Sequence, residues 1–301
     1  MIIIVIWFQP VNLAGQSKWL IMVGGILFGG YNYTRTAVIG DIGGQLDVFE
    51  KTLNYLGVVN GIIPADLQII QVGDLIRNLP IFYNNNNYII ESVSNILEKS
   101  GDQWVQLLGN HEAVYLGGIS SKTWDTKNSI NSSSLNTLLN WWNTKQITLS
   151  STLFYNQQEL LITHAGLSVG LWKELEKVNN ASNMAYVLNN LSLPGSFLGR
   201  DSVFTNGVIN ISSDILWAQG PDEIYLPWMK EQIIPFGQIH GHQSLKKSGI
   251  IELETFNIIP TYNVINGLIG EKHFISVDQE WGNKIISNYL PPSGIFLNNT
   301  I

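Results

Sequence analysis

The chain has 301 residues, 45% of them hydrophobic and 13% charged, which is apolar enough for a sizeable core and argues against large-scale disorder. Its net charge of −7, with no basic cluster beyond Lys246 and Lys247, is a poor match for a nucleic-acid partner. The absence of cysteine excludes disulfides, thiolate metal sites and a cysteine nucleophile, and fits a cytoplasmic home.

Residues 1–35 read as an N-terminal extension. "MIIIVIWF" and "WLIMVGGILFGG" are apolar, but Gln9, Pro10, Asn12, Gln16 and Lys18 interrupt them, and no basic residues precede Ile2 as in a signal peptide. An extra strand or hairpin is favoured over a membrane anchor, and no membrane partner is expected.

From Thr36 the pattern becomes regular. "TAVIGD" is a short apolar strand. "QLDVFEKTLNYLG" carries Leu46, Phe49, Leu53 and Leu56 at helical spacing and stops at Gly57. "LQIIQVGD" is a second strand, "YIIESVSNILEKSG" a helix starting at Tyr88, and "QWVQLLGNHE" a third strand. Strand and helix alternating in this way predict a parallel sheet with helices on its faces. Residues 113–150 are rich in Ser, Thr and Asn, contain one helix around "LNTLLNWWN", and read as a cap-like insertion between sheet strands. "ELLITHAGL" returns to strand. Short helices near 169–178 and 184–191 and a long loop over 193–214 follow. After Pro235, "PFGQIHGH", "GIIELET" and "KHFISVDQ" predict a second sheet. Residues 36–301 are therefore expected to form a single domain.

The polar residues of these strands sit at their ends. Asp41 and Asp74 follow the first two; Asn110, His111 and Glu112 follow the third; His164, then His240 and His242, close two more. Ligands of open α/β sheets bind outside the carboxyl ends of the strands, so these groups should converge on one crevice. Carboxylate, amide oxygen and imidazole suit Mn, Fe or Zn. The set is large enough for two divalent ions bridged by Asp74, and such a pair clamps the attacking and leaving oxygens of a phosphoryl displacement. Singly, each motif has a plainer reading: Gly-Asp after a strand is commonly a turn, and a strand histidine commonly packs in a core. His273, outside the set, reads as an ordinary strand residue.

In order, "GDIGG", "GDLIRN", "GNHE", "HAG" and "GHQ" resemble the motifs of the calcineurin-like metallophosphoesterases, in the branch of the Ser/Thr protein phosphatases and the diadenosine tetraphosphate hydrolases. "SDILWAQGP" is similar to that family's Asp-Leu-Leu-Trp segment, and "PFGQIHGHQS" to a bacterial group in which GDxGG stands in place of GDxHG. The resemblance covers about 36–245. It implies an α/β fold of α+β-like, four-layer form: two mixed β-sheets packed as a sandwich, flanked by helices on both outer faces. It also implies that Asp41 binds a first metal, that Asp74 bridges both, and that Asn110, His164 and His242 bind the second. A metal-activated water would attack phosphorus, with His111 as general acid. Glu112 is read as a capping or loop-orienting residue.

Three departures stand out. Gly43 replaces a first-metal histidine, so that site should be weak unless Gln45, His240 or water substitutes; His240 and His242, two apart on a strand, should face one side. Arg77 replaces the acid that pairs with the general acid, and a cation there should lower the His111 pKa. Asn78 replaces the phosphate-binding arginine. Asn78 itself, Arg77 and Arg200 are the candidate phosphate-binding residues, the last two being two of only three arginines in the chain.

The activity implied is a phosphoester hydrolase, with a phosphoprotein-type phosphomonoester as the first choice of substrate. A nucleotide or dinucleoside polyphosphate is the alternative, since Trp141, Trp142 and Trp217 offer surfaces for a base, although core packing is their plainer role. The rival from another class is a degenerate, noncatalytic metal- or phosphate-binding protein, suggested by Gly43 and Arg77.

Overall fold

The computed structural model describes residues 10–13, 16–23, 26–31, 33, 35–120, 126–155, 157–191, 202–242, 259–261, 264–277 and 294–298. The strand expected at 249–255 and the candidate anchor Arg200 lie outside these residues.

β1 (Pro10–Leu13), β2 (Gln16–Val23) and β3 (Ile26–Tyr31) form an antiparallel sheet of their own. β4 (Arg35–Ile39), β5 (Leu67–Gln71), β6 (Trp104–Leu107) and β7 (Ile147–Thr148) lie side by side in parallel. The next strands build another sheet: β8 (Ser150–Tyr155), β9 (Gln158–Thr163), β10 (Gly237–His240), β11 (Ile259–Thr261), β12 (Val264–Ile269) and β13 (Lys272–Ser276). Its order is β11-β12-β13-β10-β9-β8, parallel across β13, β10 and β9 and antiparallel outside them. β14 (Gly294–Asn298) returns to the other sheet, antiparallel to β4.

Alternation along the strands explains why the two mixed sheets stack. Val38, Ile70, Val72 and Leu107 meet Leu160, Ile162, Ile239 and Ile275 in one apolar layer. The intervening residues Ala37, Ile39, Ile69 and Trp104 pack instead with residues of α1 (Leu46–Tyr55) and α2 (Tyr83–Ser100), among them Phe49, Ile89 and Val93. α3 (Asn110–Ala113) is a single turn after β6. α4 (Ser132–Asn143), capped by Asn131 Oδ1 accepting from Ser134 N at 2.8 Å, buries Leu138 and Trp141. On the other sheet, Leu161 and Phe274 belong to the core that holds Leu171 and Trp172 of α5 (Val169–Glu174) and Met184 and Leu188 of α6 (Ala181–Asn190). α7 (Val203–Asn206), a π-helical segment at Gly220–Tyr225, α8 (Leu226–Met229) and three short 3-10 turns, at Pro80–Phe82, Gly101–Gln103 and Val114–Leu116, complete the helices among the described residues. No helix among these residues is long and apolar enough to cross a membrane.

Several expectations change. The second sheet begins at Ser150, ahead of Pro235, because β8 pairs antiparallel with β9 and β9 runs parallel to β10 rather than joining β6. α2 starts before Tyr88: Asn86 is fully buried, and its amide accepts from Arg77 N at 3.1 Å and donates to Arg77 O at 3.0 Å and Ser129 O at 2.9 Å. α6 starts at Ala181 because Asn180 Oδ1 caps it, accepting from Asn183 N at 2.7 Å. A helical turn, α7, replaces part of the expected long loop.

Phe49 is buried edge-on against Trp104, with ring centroids 6.4 Å apart. Phe49→Ala is expected to cost about 3–5 kcal/mol in urea unfolding. Tyr55→Ala, on the exposed side of the same helix, should stay within about 0.5 kcal/mol of wild type. Equal losses would contradict the assigned faces.

Candidate metal centre

Five parallel strands from two sheets deliver the polar residues to one place. Asp41 follows β4, Asp74 follows β5, Asn110 and His111 open α3 after β6, and His164 and His242 follow β9 and β10. Two of these residues have left-handed backbones, Asp74 at φ 54° and His242 at φ 65°. Such conformations are uncommon for non-glycine residues and, where they occur, concentrate at functional sites. At Gly109 a Cβ would fall 2.1 Å from Asp74 N, so the "GNHE" turn can press against the "GD" turn only with glycine there.

Glu112 holds this contact together. Its carboxylate accepts from Asp74 N at 2.9 Å, Gly109 N at 3.1 Å and Ile76 N at 3.1 Å. Burial pushes its carboxyl up to about 7, while those backbone N–H groups favour the charged form. The orienting role read from sequence is what this geometry shows.

The centre itself is crowded with electron-pair donors. His164 Nδ1 lies 3.0 Å from Val72 O, a carbonyl that can only accept, so Nδ1 carries the proton and Nε2 presents its lone pair. Burial pushes the His164 pKa down to about 3, consistent with a neutral ring. Around Nε2 lie Asn110 Oδ1 at 3.0 Å, His242 Nδ1 at 3.2 Å and Asp74 Oδ1 at 3.6 Å. The inward end of the Asn110 amide is also 3.0 Å from both Asp74 carboxylate oxygens. Two arrangements relieve this crowding. Either the amide turns its nitrogen inward to donate, or a cation sits among the donors. The set of one carboxylate, one amide oxygen and two imidazoles fits a borderline divalent ion such as Mn, Fe or Zn. The ligand atoms of Asp74, His164 and His242 all lie within 4.8 Å of one another. The Val72 carbonyl behind His164 fixes its tautomer, as an outer partner would for a ligating histidine.

Asp41 stands beside this group. Its two oxygens accept from His242 N at 3.1 and 3.2 Å, and Oδ1 is 3.9 Å from His164 Nδ1. Gly43 donates its N–H to Asp74 O at 2.7 Å and has φ 57°, and a Cβ there would meet nothing within 4 Å. Gln45 is half-buried, and its Nε2 is enclosed with no hydrogen-bond partner among the described residues.

His240 and His242 do not share a strand face. β10 ends at His240, and the left-handed His242 breaks the alternation. Both ring nitrogens of His240 are in hydrogen bonds: Nδ1 to Gly241 O at 2.8 Å, Nε2 with the Tyr225 hydroxyl. Tyr225 was not legible as a partner, since a tyrosine in a helical stretch gives no signal of what it reaches.

His111 N donates to Asp74 Oδ1 at 3.0 Å, and His111 Nε2 is 3.9 Å from Asp74 Oδ2. Its Nδ1 accepts the Asn78 backbone N–H at 3.2 Å. Burial, then the Arg77 charge, then His242 push its pKa down to about 3, so burial outweighs the expected effect of Arg77. Asn78 is fully buried: Nδ2 donates to His111 O at 3.1 Å, and Oδ1 accepts from Tyr115 Oη at 3.0 Å and Ser129 Oγ at 2.7 Å. It is an internal brace. Arg77 is half-buried, and among the described residues its guanidinium has no hydrogen-bond or ion-pair partner. Trp217 meets His242 edge-on, with ring centroids 5.9 Å apart, Trp141 is buried in the core, and Lys145 lies over the Trp142 ring.

No family model matches the chain, and no curated protein sequence does. Among solved structures, the chain is similar to a protein serine/threonine phosphatase from Saccharomyces cerevisiae, itself described as similar to human phosphatase PP5. The identity is 12%, the match covers 81% of this chain and 67% of that one, and the TM-score is 0.43.

Proposed function

We propose that this chain is a metal-dependent phosphoester hydrolase of the calcineurin-like kind, acting on a phosphomonoester as protein phosphatases do. The observation that carries the reading is the convergence of Asp74, Asn110, His164 and His242, lone pairs inward, at the ends of strands from both sheets. In this reading those four residues would hold one divalent ion firmly, and Asp41 would serve a second, weaker one, because Gly43 brings no side chain to that side. Bound divalent ions would supply Lewis-acid stabilisation of phosphoryl charge and a water of lowered pKa.

The chain's own residues do the rest. Arg77, a guanidinium without a partner among the described residues, pairs with the phosphoryl oxygens in place of the arginine that Asn78 replaces. His111 accepts at Nδ1 from Asn78 N, so the neutral ring carries its proton on Nε2. That proton is the one offered to the departing alkoxide oxygen. Water adds to phosphorus, the P–O bond to the alcohol breaks, and the products are inorganic phosphate and the alcohol. The buried faces of Trp141 and Trp217 give no support to stacking of a base.

Purified protein assayed with p-nitrophenyl phosphate and added Mn(II) should bind metal and turn over, and His111→Ala should lower kcat about 10²–10⁴-fold. Protein that binds no metal and shows no His111-dependent turnover would instead be a noncatalytic relative. Gly43→His meets open space and should cost only about 1–2 kcal/mol for its left-handed backbone. It should tighten the second Mn(II) binding event in calorimetric titration. An unchanged second event would show that the missing imidazole is not what weakens that ion.

A further inference from the structure

A fully buried glutamine lies behind the two Gly-Asp turns. Gln71, at the end of β5, has no exposed surface, and its side chain makes four hydrogen bonds. Nε2 donates to Gly40 O at 3.1 Å and to Gly73 O at 2.7 Å, while Oε1 accepts from Gly73 N at 2.9 Å and from Gln106 Nε2. Gly40 and Gly73 are the residues immediately before Asp41 and Asp74. One amide therefore spans the two turns that present both carboxylates of the centre.

The orientation of that amide, fixed by Gly73 N and O, is braced from further back. Trp104 Nε1, which can only donate, gives its proton to Gln106 Oε1 at 3.0 Å. Gln106 Nε2 is thereby turned toward Gln71 Oε1 and Leu107 O, and Gln71 Nε2 toward the two glycine carbonyls. A reversed Gln71 would set its oxygen against two carbonyl oxygens. On the front side, Ile42 N and Gly43 N donate to Asp74 O at 2.9 and 2.7 Å. The two turns are thus tied at both front and rear. An apolar side chain at position 71 would suit the surrounding core, which holds Ile39, Ile69 and Trp104. Burying an amide there is worthwhile only if every partner is matched, as all four are.

We propose that Gln71 is a positioning residue of the metal centre: its amide sets the spacing of the Asp41 and Asp74 turns, with its orientation fixed by Gly40 and Gly73 and braced from behind by Gln106. The inference rests on the metal-binding reading above. The test is calorimetric titration of the full chain with Mn(II), with circular dichroism and thermal unfolding of the metal-free protein as the measure of stability. Gln71→Met should weaken Mn(II) binding about 10- to 100-fold, the range found for outer partners of metal ligands. Gln106→Met leaves the bonds from Gln71 to Gly40 and Gly73 in place. It should lower the unfolding temperature while changing Mn(II) affinity less than about threefold, well short of the loss expected for an outer partner of a ligand. If Gln71→Met does not fold, Gln71→Asn, whose amide falls one methylene short of Gly40, carries the same expectation. Wild-type affinity in the Gln71 variant, or an equal loss in Gln106→Met, overturns the role of Gln71 alone. A wild-type chain that binds no Mn(II) overturns the metal reading and the role of Gln71 together.

Discussion

Mutual repulsion among lone pairs is the constraint around which this molecule is organised. A carboxylate, an amide oxygen and a second neutral imidazole are brought within 3.0–3.6 Å of the lone pair on His164 Nε2. In a dry interior such an arrangement is costly unless a proton or a cation is shared among its members. The fold spends specific features on keeping it. Asp74 and His242 are held in left-handed conformations, Glu112 binds three backbone N–H groups to keep the "GD" and "GNHE" turns in contact, and Asp41 takes the N–H of His242 on both oxygens. Structural cores do not need these devices, whereas a cation site does.

The stacked sheets explain how residues far apart in sequence reach this point. β4, β5 and β6 run parallel in one sheet and β9 and β10 in the other, so all five deliver their carboxyl ends to the same side of the sandwich. The apolar layer between the sheets, Val38 and Ile70 against Ile162 and Ile239, fixes their relative position. Displacement of that layer would separate Asp74 from His164. The candidate metal centre and the core are therefore parts of one mechanical unit.

Much of this was legible in the sequence because the polar residues interrupt apolar runs at their ends. Asp41, Asp74, Asn110, His164 and His242 stood out for that reason, and the role of Glu112 followed from its place after "GNH". Other features depend on geometry that no local pattern encodes. The alternation rule put His240 beside His242, but the left-handed backbone at His242 separates them, and His240 bonds to Tyr225 instead. Asn78 looked like a substitute phosphate ligand and is an internal brace for His111, because its partners Tyr115 and Ser129 come from later in the chain. The start of the second sheet was misplaced since "SSTLFY" lacks the continuous apolar run that marks its partner β9. Nothing in "LQIIQVGD" singles out Gln71; its place appears once Gly40 and Gly73 are seen on either side of its amide.

The departures at Gly43 and Arg77 bear on how chemistry is divided, and they leave the four-residue group intact. Arg77 adds a cation near His111, and Asn78 fixes which nitrogen of that ring holds the proton. The most direct measurement is an anomalous difference map from a crystal grown with Mn(II). A peak bounded by Asp74, Asn110, His164 and His242 is the expected result. No peak, with those four side chains in the same positions, would show that the crowded donors are relieved by an inward-turned Asn110 amide and that the centre is not a metal site.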